Sequence, residues 1–174
     1  MTLSSAFRFL GSICAVTCLS CVSGCAGYRL GTTLPADMRT IYVPTFKNRS
    51  AEPSLEAEAT RATRQEFQKD GTLRLVDSEE NADIVLDVAI LRYNQEPLRY
   101  RRDRPRSTQE YRLSITAEIT AVQRRTGGIL VKQQVVGETS FELQGDLVTS
   151  KSSALPLAAA DLAHKIVSSV VEAW

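Results

Sequence analysis

The sequence predicts an α+β fold: two amphipathic helices packed on one face of a mixed, largely antiparallel sheet of four to five strands. Three observations predict it. Glu110–Val122 alternates without a break, with Tyr111, Leu113, Ile115, Ala117, Ile119 and Ala121 on one face and Arg112, Ser114, Thr116, Glu118 and Thr120 on the other. That is the pattern of a strand with one covered and one wet face. From about Ala154 to Trp174, the residues Leu155, Ala159, Leu162, Ile166, Val170 and Trp174 recur at helical spacing and form one stripe. From Ser54 to about Asp70, Leu55, Ala59, Ala62 and Phe67 fall near one face, with Arg61, Arg64 and Lys69 expected to face water.

The elements follow in order. Residues 26–39 carry Gly27, Gly31 and Pro35 and read as an irregular lead-in. Thr40–Val43 is a short β-branched and aromatic strand ended by Pro44, and Thr45–Pro53 is a turn-rich link. Ser54 is the expected N-cap of the first helix, Glu56 and Glu58 suit its first turn, and Gly71 stops it. Leu73–Val76 is a second short strand. Asp83–Tyr93 puts Ile84, Leu86, Val88 and Ile90 on one face, and Ile129–Glu142 alternates less cleanly. Arg124–Gly128 reads as the hairpin turn before it. The last helix takes Ser152 or Ser153 as its cap, with Pro156 in the first turn.

Composition narrows the function. The chain has 174 residues, 43% hydrophobic and 24% charged, enough for one domain. Its 21 cations and 20 anions give a formal charge of +1, which excludes a protein that coats nucleic acid through bulk charge. No nucleic-acid partner is expected.

All four cysteines, Cys14, Cys18, Cys21 and Cys25, lie near the start. The text around them is wrong for a zinc site, and the only histidine, His164, is far away. Residues 1–24 instead have the layout of a secretory signal: Arg8, an apolar run from Phe9 to about Val22, and small residues at the exit. Val22-Ser-Gly-Cys25 resembles the bacterial lipobox, which implies cleavage before Cys25 and lipidation of its thiol; Cys21 is a weaker alternative. The expected organisation is a signal peptide over 1–24, a lipidated lead-in over 25–39 and an α+β domain over 40–174. Each buried methylene adds roughly 0.8 kcal/mol to attachment, so the three acyl chains that the resemblance implies, palmitate among them, would hold the protein on a membrane. Ala26 rather than Asp follows the cysteine, and the resemblance to bacterial lipoproteins then implies sorting to the outer membrane, on its periplasmic face.

Catalytic motifs are absent: there is no Gly-x-Ser-x-Gly elbow, no P-loop and no Gly-x-Gly-x-x-Gly. His164 beside Asp161 reads as a surface residue. The pairs Glu56/Glu58, Glu79/Glu80 and Asp83/Asp87 read as solvated positions. No enzyme activity, cofactor or catalytic or metal residue is expected. One segment does stand out. Tyr93–Gln109 joins two strands as an extended loop and carries Arg99, Arg101, Arg102, Arg104 and Arg106, opposed by Asp103. Arginine pairs phosphate or carboxylate through a planar fork, so these five are the candidate anion-binding residues. Arg124 and Arg125 read as plain turn residues.

With the lipobox, Gly27-Tyr-Arg-Leu30, Arg39–Ser50, Glu52–Glu56, Leu73–Asp77 and Ala82–Leu86 together resemble the LptE family, the lipoprotein component of the outer-membrane lipopolysaccharide translocon. The resemblance implies two helices on a sheet, a place as a plug inside the barrel protein LptD, help with that barrel's assembly, and binding of lipopolysaccharide. It implies no catalysis and no cofactor. A plug in a polar lumen must turn polar side chains to the barrel wall, and the outward face of Glu110–Val122 is compatible with that. The competing reading is another outer-membrane lipoprotein with the same strand–helix–strand start, such as a CsgG-type secretion-pore subunit or a cell-wall synthase regulator.

Overall fold

Strand pairing in the computed structural model starts from two short β-branched or polar segments and ends in a three-strand meander. The residues described are 38–100, 108–143 and 146–173, all within one unit spanning Thr32–Trp174. Cys25 and Cys21 lie outside the described residues, as do the rest of the leader, the lead-in to 37, and Trp174. Strands β1 (Thr40–Tyr42) and β2 (Lys47–Asn48) precede helix α1 (Leu55–Asp70). Strand β3 (Arg74–Val76) and a 3-10 turn at Glu79–Asn81 lead to β4 (Ile84–Tyr100), β5 (Thr108–Gln123) and β6 (Ile129–Glu142). Helix α2 (Leu147–Val171) closes the chain.

The sheet runs β3-β1-β4-β5-β6, with β2 also paired to β4. Strand β1 is parallel to β3 and β4, β2 is parallel to β4, and β4, β5 and β6 are antiparallel. The sheet is mixed, as expected, but has six strands rather than four to five. The addition is β2, which lies in the link 45–53; two residues are too few to leave an alternation in the sequence.

The core faces follow the predicted pattern. Ile84, Leu86, Val88 and Ile90 of β4 are buried, as are Leu113, Ile115, Ala117, Ile119 and Ala121 of β5. From α1 come Leu55, Ala59, Ala62 and Phe67. From α2 come Ala154, Ala158, Ala159, Leu162, Ala163, Ile166, Val167 and Val170, with Leu155 only partly buried. Helix α2 packs over β6 and β5 and against α1, which in turn meets β2 and β3. Length and composition would let α2 cross a membrane, yet here its apolar stripe is the cover of the sheet.

Three helix-end expectations change. Ser54 does sit at the N-cap of α1, but its φ is 63° and its side chain makes no capping bond. Asn48 organises that corner instead: its amide donates to the Glu52 carbonyl and to Glu56 Oε2, and its oxygen accepts from Ser50 N–H and Oγ. Helix α2 begins at Leu147, well before Ser152, with Asp146 as its cap accepting from Thr149 N–H at 2.9 Å. Pro156 is therefore inside the helix rather than in its first turn. It lies on the exposed side with Ser152, so the carbonyl that Pro156 leaves without a helical donor can turn to water. At the other end of α1, Gly71 has φ 75° and donates its N–H to the Phe67 carbonyl, the predicted stop. The Arg124–Gly128 turn closes the β5–β6 hairpin as predicted, with Gly127 at φ 70°.

Some polar residues are less solvated than their sequence context suggests. Arg64 does not simply face water: Nε and a terminal nitrogen donate to the Val43 carbonyl at 3.0 and 2.6 Å, tying α1 to the strand end. Arg124 donates Nε–H to the Ala82 carbonyl at 2.9 Å. Asp83 is a junction, accepting at Oδ2 from Arg39 N–H, Thr40 N–H and the Thr40 hydroxyl at 2.9, 2.9 and 2.7 Å.

Strand β6 is a sheet edge, and α2 guards part of it. Asp161 Oδ2 accepts from Glu138 N–H at 2.7 Å, and Lys165 Nζ donates to the Val136 carbonyl at 2.7 Å. The two side chains also pair with each other at 2.8 Å. Edge strands left open invite pairing with another chain. An Asp161→Ala/Lys165→Ala double variant is expected to remain folded and to self-associate with rising concentration. Light scattering that stays monomeric across the same range would contradict this role.

Candidate functional site

The β4–β5 hairpin is longer than its sequence suggests. The sequence reads as a loop over Tyr93–Gln109, whereas β4 continues to Tyr100 and β5 begins at Thr108. The connection is thus 101–107, and Arg101, Arg102, Arg104 and Arg106 lie outside the described residues. Arg99 is described: it sits on β4 opposite Glu110, and its guanidinium meets Glu110 Oε2 at 3.2 Å. It is exposed at 64% of its side chain, so the pair is a surface one and leaves donors free. Pro97 inside β4 is tolerated because the ladder slips beside it, between Pro97 and Arg99 and again between Arg99 and Tyr100.

The hairpin end is backed by aromatic and aliphatic side chains. Tyr111 and Phe141 stack across β5 and β6, centroids 5.6 Å apart and planes at 18°. A cavity of about 390 Å³ opens between β6 and the first turns of α2, lined by Phe141, Glu142, Thr149, Ser153, Ala154 and Leu157 among others. Leu98 near the end of β4, and Leu143, Leu147, Val148 and Leu157 around the start of α2, are exposed. Apolar residues at the same end of the sheet as Arg99 can meet a ligand with both an acyl and an anionic part.

Lys151 pairs with Glu52 at 2.7 Å and lies 5.1 Å from the Tyr93 ring centroid. Burial, with help from the Glu52 charge, pushes the Tyr93 phenol up to about 12. The Tyr93 hydroxyl and Gln95 Nε2 are buried without a partner among the described residues. Asp146 is held below the usual carboxylate range by the Thr149 N–H and hydroxyl.

The outer face of the meander is largely polar, interrupted by Ala89 and Val136. Arg112, Ser114, Thr116, Glu118 and Thr120 all lie on it, as the alternation predicts, beside Arg92, Asn94 and Glu96 of β4 and Lys132, Gln134, Glu138 and Ser140 of β6. His164 is exposed, with Nδ1 3.2 Å from Glu66 Oε1 across the helix pair. Glu56 is bonded to Asn48 and Asp83 to the β1 start, so neither is a free carboxylate. Among the described residues, no group of three or more His, Cys, Asp or Glu could hold a metal ion.

Sequence reasoning missed Gly137. It is buried in β6 where α2 crosses, and a Cβ there would lie 2.4 Å from Leu162 Cβ and 2.6 Å from the Ala158 carbonyl oxygen. A lone glycine inside a strand pattern is the signal for such an approach.

Solved structures with the same fold include protein XCC0632 from Xanthomonas campestris, with TM-score 0.59 and 9% identity over 82% of this chain and 91% of that one. The hypothetical protein CT253 from Chlamydia trachomatis gives 0.55 and 13% over 78% and 99%. A minor lipoprotein from Acinetobacter baumannii gives 0.51 and 13% over 77% and 93%. At these identities the likeness is one of fold. No curated protein matches the sequence. The sequence profile of LptE, described as lipopolysaccharide-assembly, matches residues 38–170, which takes in the sheet and nearly all of both helices. The chain belongs to the LptE family.

Proposed function

We propose that this protein is a lipid-anchored subunit of the outer membrane that seats in an LptD-like barrel, assists that barrel's assembly and binds lipopolysaccharide for insertion into the outer leaflet. Family membership over 38–170 carries the reading. Anchoring is through acylated Cys25 on the periplasmic face. The polar outer sheet face suits contact with a wet barrel lumen. Arg99, Arg101, Arg102, Arg104 and Arg106, in and beside the β4–β5 connection, are the lipopolysaccharide contacts, supported by their planar, always-charged forks. The role is one of fit and binding, without catalysis or cofactor.

The test is recovery from detergent-solubilised envelopes. A large outer-membrane barrel, identified by mass, is expected to co-purify, and depletion of this chain is expected to lower the amount of assembled barrel. Unchanged barrel levels would contradict the reading. Cys25→Ser is expected to remove palmitate labelling and release the protein from the membrane fraction. Replacing the five hairpin arginines by alanine is expected to weaken lipopolysaccharide binding while leaving the melting temperature unchanged.

A further inference from the structure

Strand β4 changes phase at its middle. Ile84, Leu86, Val88 and Ile90 point to the core, and continued alternation would send Arg92 after them. The pairing with β5 slips by one residue between Ile90 and Arg92, so Arg92 faces outward opposite Thr116 while Tyr93 turns inward opposite Ile115. Bulges of this kind re-aim side chains and recur beside functional sites. Strand β2 ends at the same point: Arg49 N–H donates to the Ile90 carbonyl at 2.9 Å, which brings Arg49 to the bulge.

The two arginines share a concavity of about 480 Å³ at the bulge, lined by the polar Ser50, Asn94, Ser114 and Thr116 and, on its apolar side, by Ala51, Leu91 and Tyr93. Neither guanidinium has a hydrogen bond or ion pair among the described residues. Arg61, Arg64, Arg99 and Arg124 are each bonded to a named acceptor, whereas Arg112, further along the outer face, shares the lack of a partner among the described residues but does not line this concavity. Of the acids on the same face, Glu96 accepts from the Asn94 amide at 2.7 Å, and neither it nor Glu118 or Glu138 pairs with Arg49 or Arg92. Two free planar forks with adjacent hydroxyls match the several oxygens of a tetrahedral anion better than the two of a carboxylate.

We propose that Arg49 and Arg92 form a phosphate-binding site on the outer face of the sheet, distinct from the hairpin end, that takes a phosphate monoester either on a glycolipid headgroup or as free phosphate. If the source is the lipid, the site deepens the lipopolysaccharide reading; phosphate recognition itself does not depend on that reading or on the barrel.

The test uses the full chain in detergent, following the arginine Nε–Hε signals during titration with inorganic phosphate. An Arg49→Gln/Arg92→Gln double variant is expected to bind phosphate at least tenfold more weakly than the parent, with an unchanged melting temperature. Arg74→Gln, exposed on β3, is expected to bind like the parent. Competition by lipopolysaccharide, lost when its phosphates are removed enzymatically, assigns the site to the lipid; phosphate binding without such competition assigns it to free phosphate. Equal phosphate binding by parent and double variant overturns the proposal. So does a double variant that loses barrel recovery while keeping phosphate affinity, because the pocket would then be a protein contact. Loss of barrel recovery on its own tests the proposed function, since the titration contains no barrel.

Discussion

Replacing Gly137 by alanine is expected to destabilise the fold by about 3 kcal/mol, at the upper end of what overpacking a tight interface costs. The reason is local and geometric. The added Cβ would meet Leu162 Cβ at 2.4 Å, the Ala158 carbonyl oxygen at 2.6 Å and Leu162 N at 2.6 Å. Two of these three atoms belong to the backbone of α2, which cannot rotate aside. The helix must lift from β6, and lifting disturbs Ala158, Ala159 and Leu162, all fully buried. It also strains the Asp161 and Lys165 bonds to the backbone on either side of the glycine. For a domain of this size the loss corresponds to a drop of roughly 10 °C in melting temperature. Gly137→Val should be worse. A scan showing Gly137→Ala within a degree or two of the parent would mean that α2 does not press on β6 at that point.

The second large effect is expected at Asp83. Its Oδ2 collects three donors from Arg39 and Thr40, and its own N–H donates to Thr40 Oγ1 at 2.9 Å. These bonds lock the start of β1 to the start of β4, where only Ile41↔Ile84 and Tyr42↔Val85 pair directly. Burial works against ionisation of this carboxyl, but the bonds from Arg39 and Thr40 and the charge of Arg124 outweigh it and hold the pKa below the ordinary aspartate value. Asp83→Ala strands three donors and is expected to cost about 2–3 kcal/mol at neutral pH, in the range for bonds to a charged acceptor. The pH dependence has a definite sign. A carboxyl with a depressed folded pKa stabilises fully above its unfolded value, and that contribution is lost as pH falls through the folded one. The gap in melting temperature between parent and variant should therefore be widest at neutral pH and close under strongly acidic conditions. A gap that is constant with pH would mean that the charge of Asp83 contributes nothing.

Both residues bear on what was legible beforehand. Leu55, Ala59, Ala62 and Phe67 could be assigned to one helix face because a helix repeats its contacts every three to four residues. The alternation of Glu110–Val122 told the covered face from the wet one because a strand has a period of two. Gly71 and the Gly127–Gly128 turn announced themselves through chain reversal. The extra turns of α2 before Ser152 were not legible, since Pro156 reads as a start signal and only packing on β6 makes it an interior residue. Nor was β4 beyond Tyr93, where Pro97 and a dense arginine run argue against a strand and the β5 ladder overrides them. At the candidate site the arginine run was visible, but Arg49 and Arg92 are far apart in sequence and stood out in neither segment.

The order of elements, the two apolar helix stripes and the resemblance to the LptE family follow from the sequence by itself, because each rests on local periodicity or on contiguous motifs. Tertiary structure alone decided the sixth strand, the close crossing at Gly137, the Asp83 junction and the pocket shared by Arg49 and Arg92. Each of these joins residues from separate elements, through a bulge, a strand edge or a helix crossing, and such meetings leave no period in the chain to read.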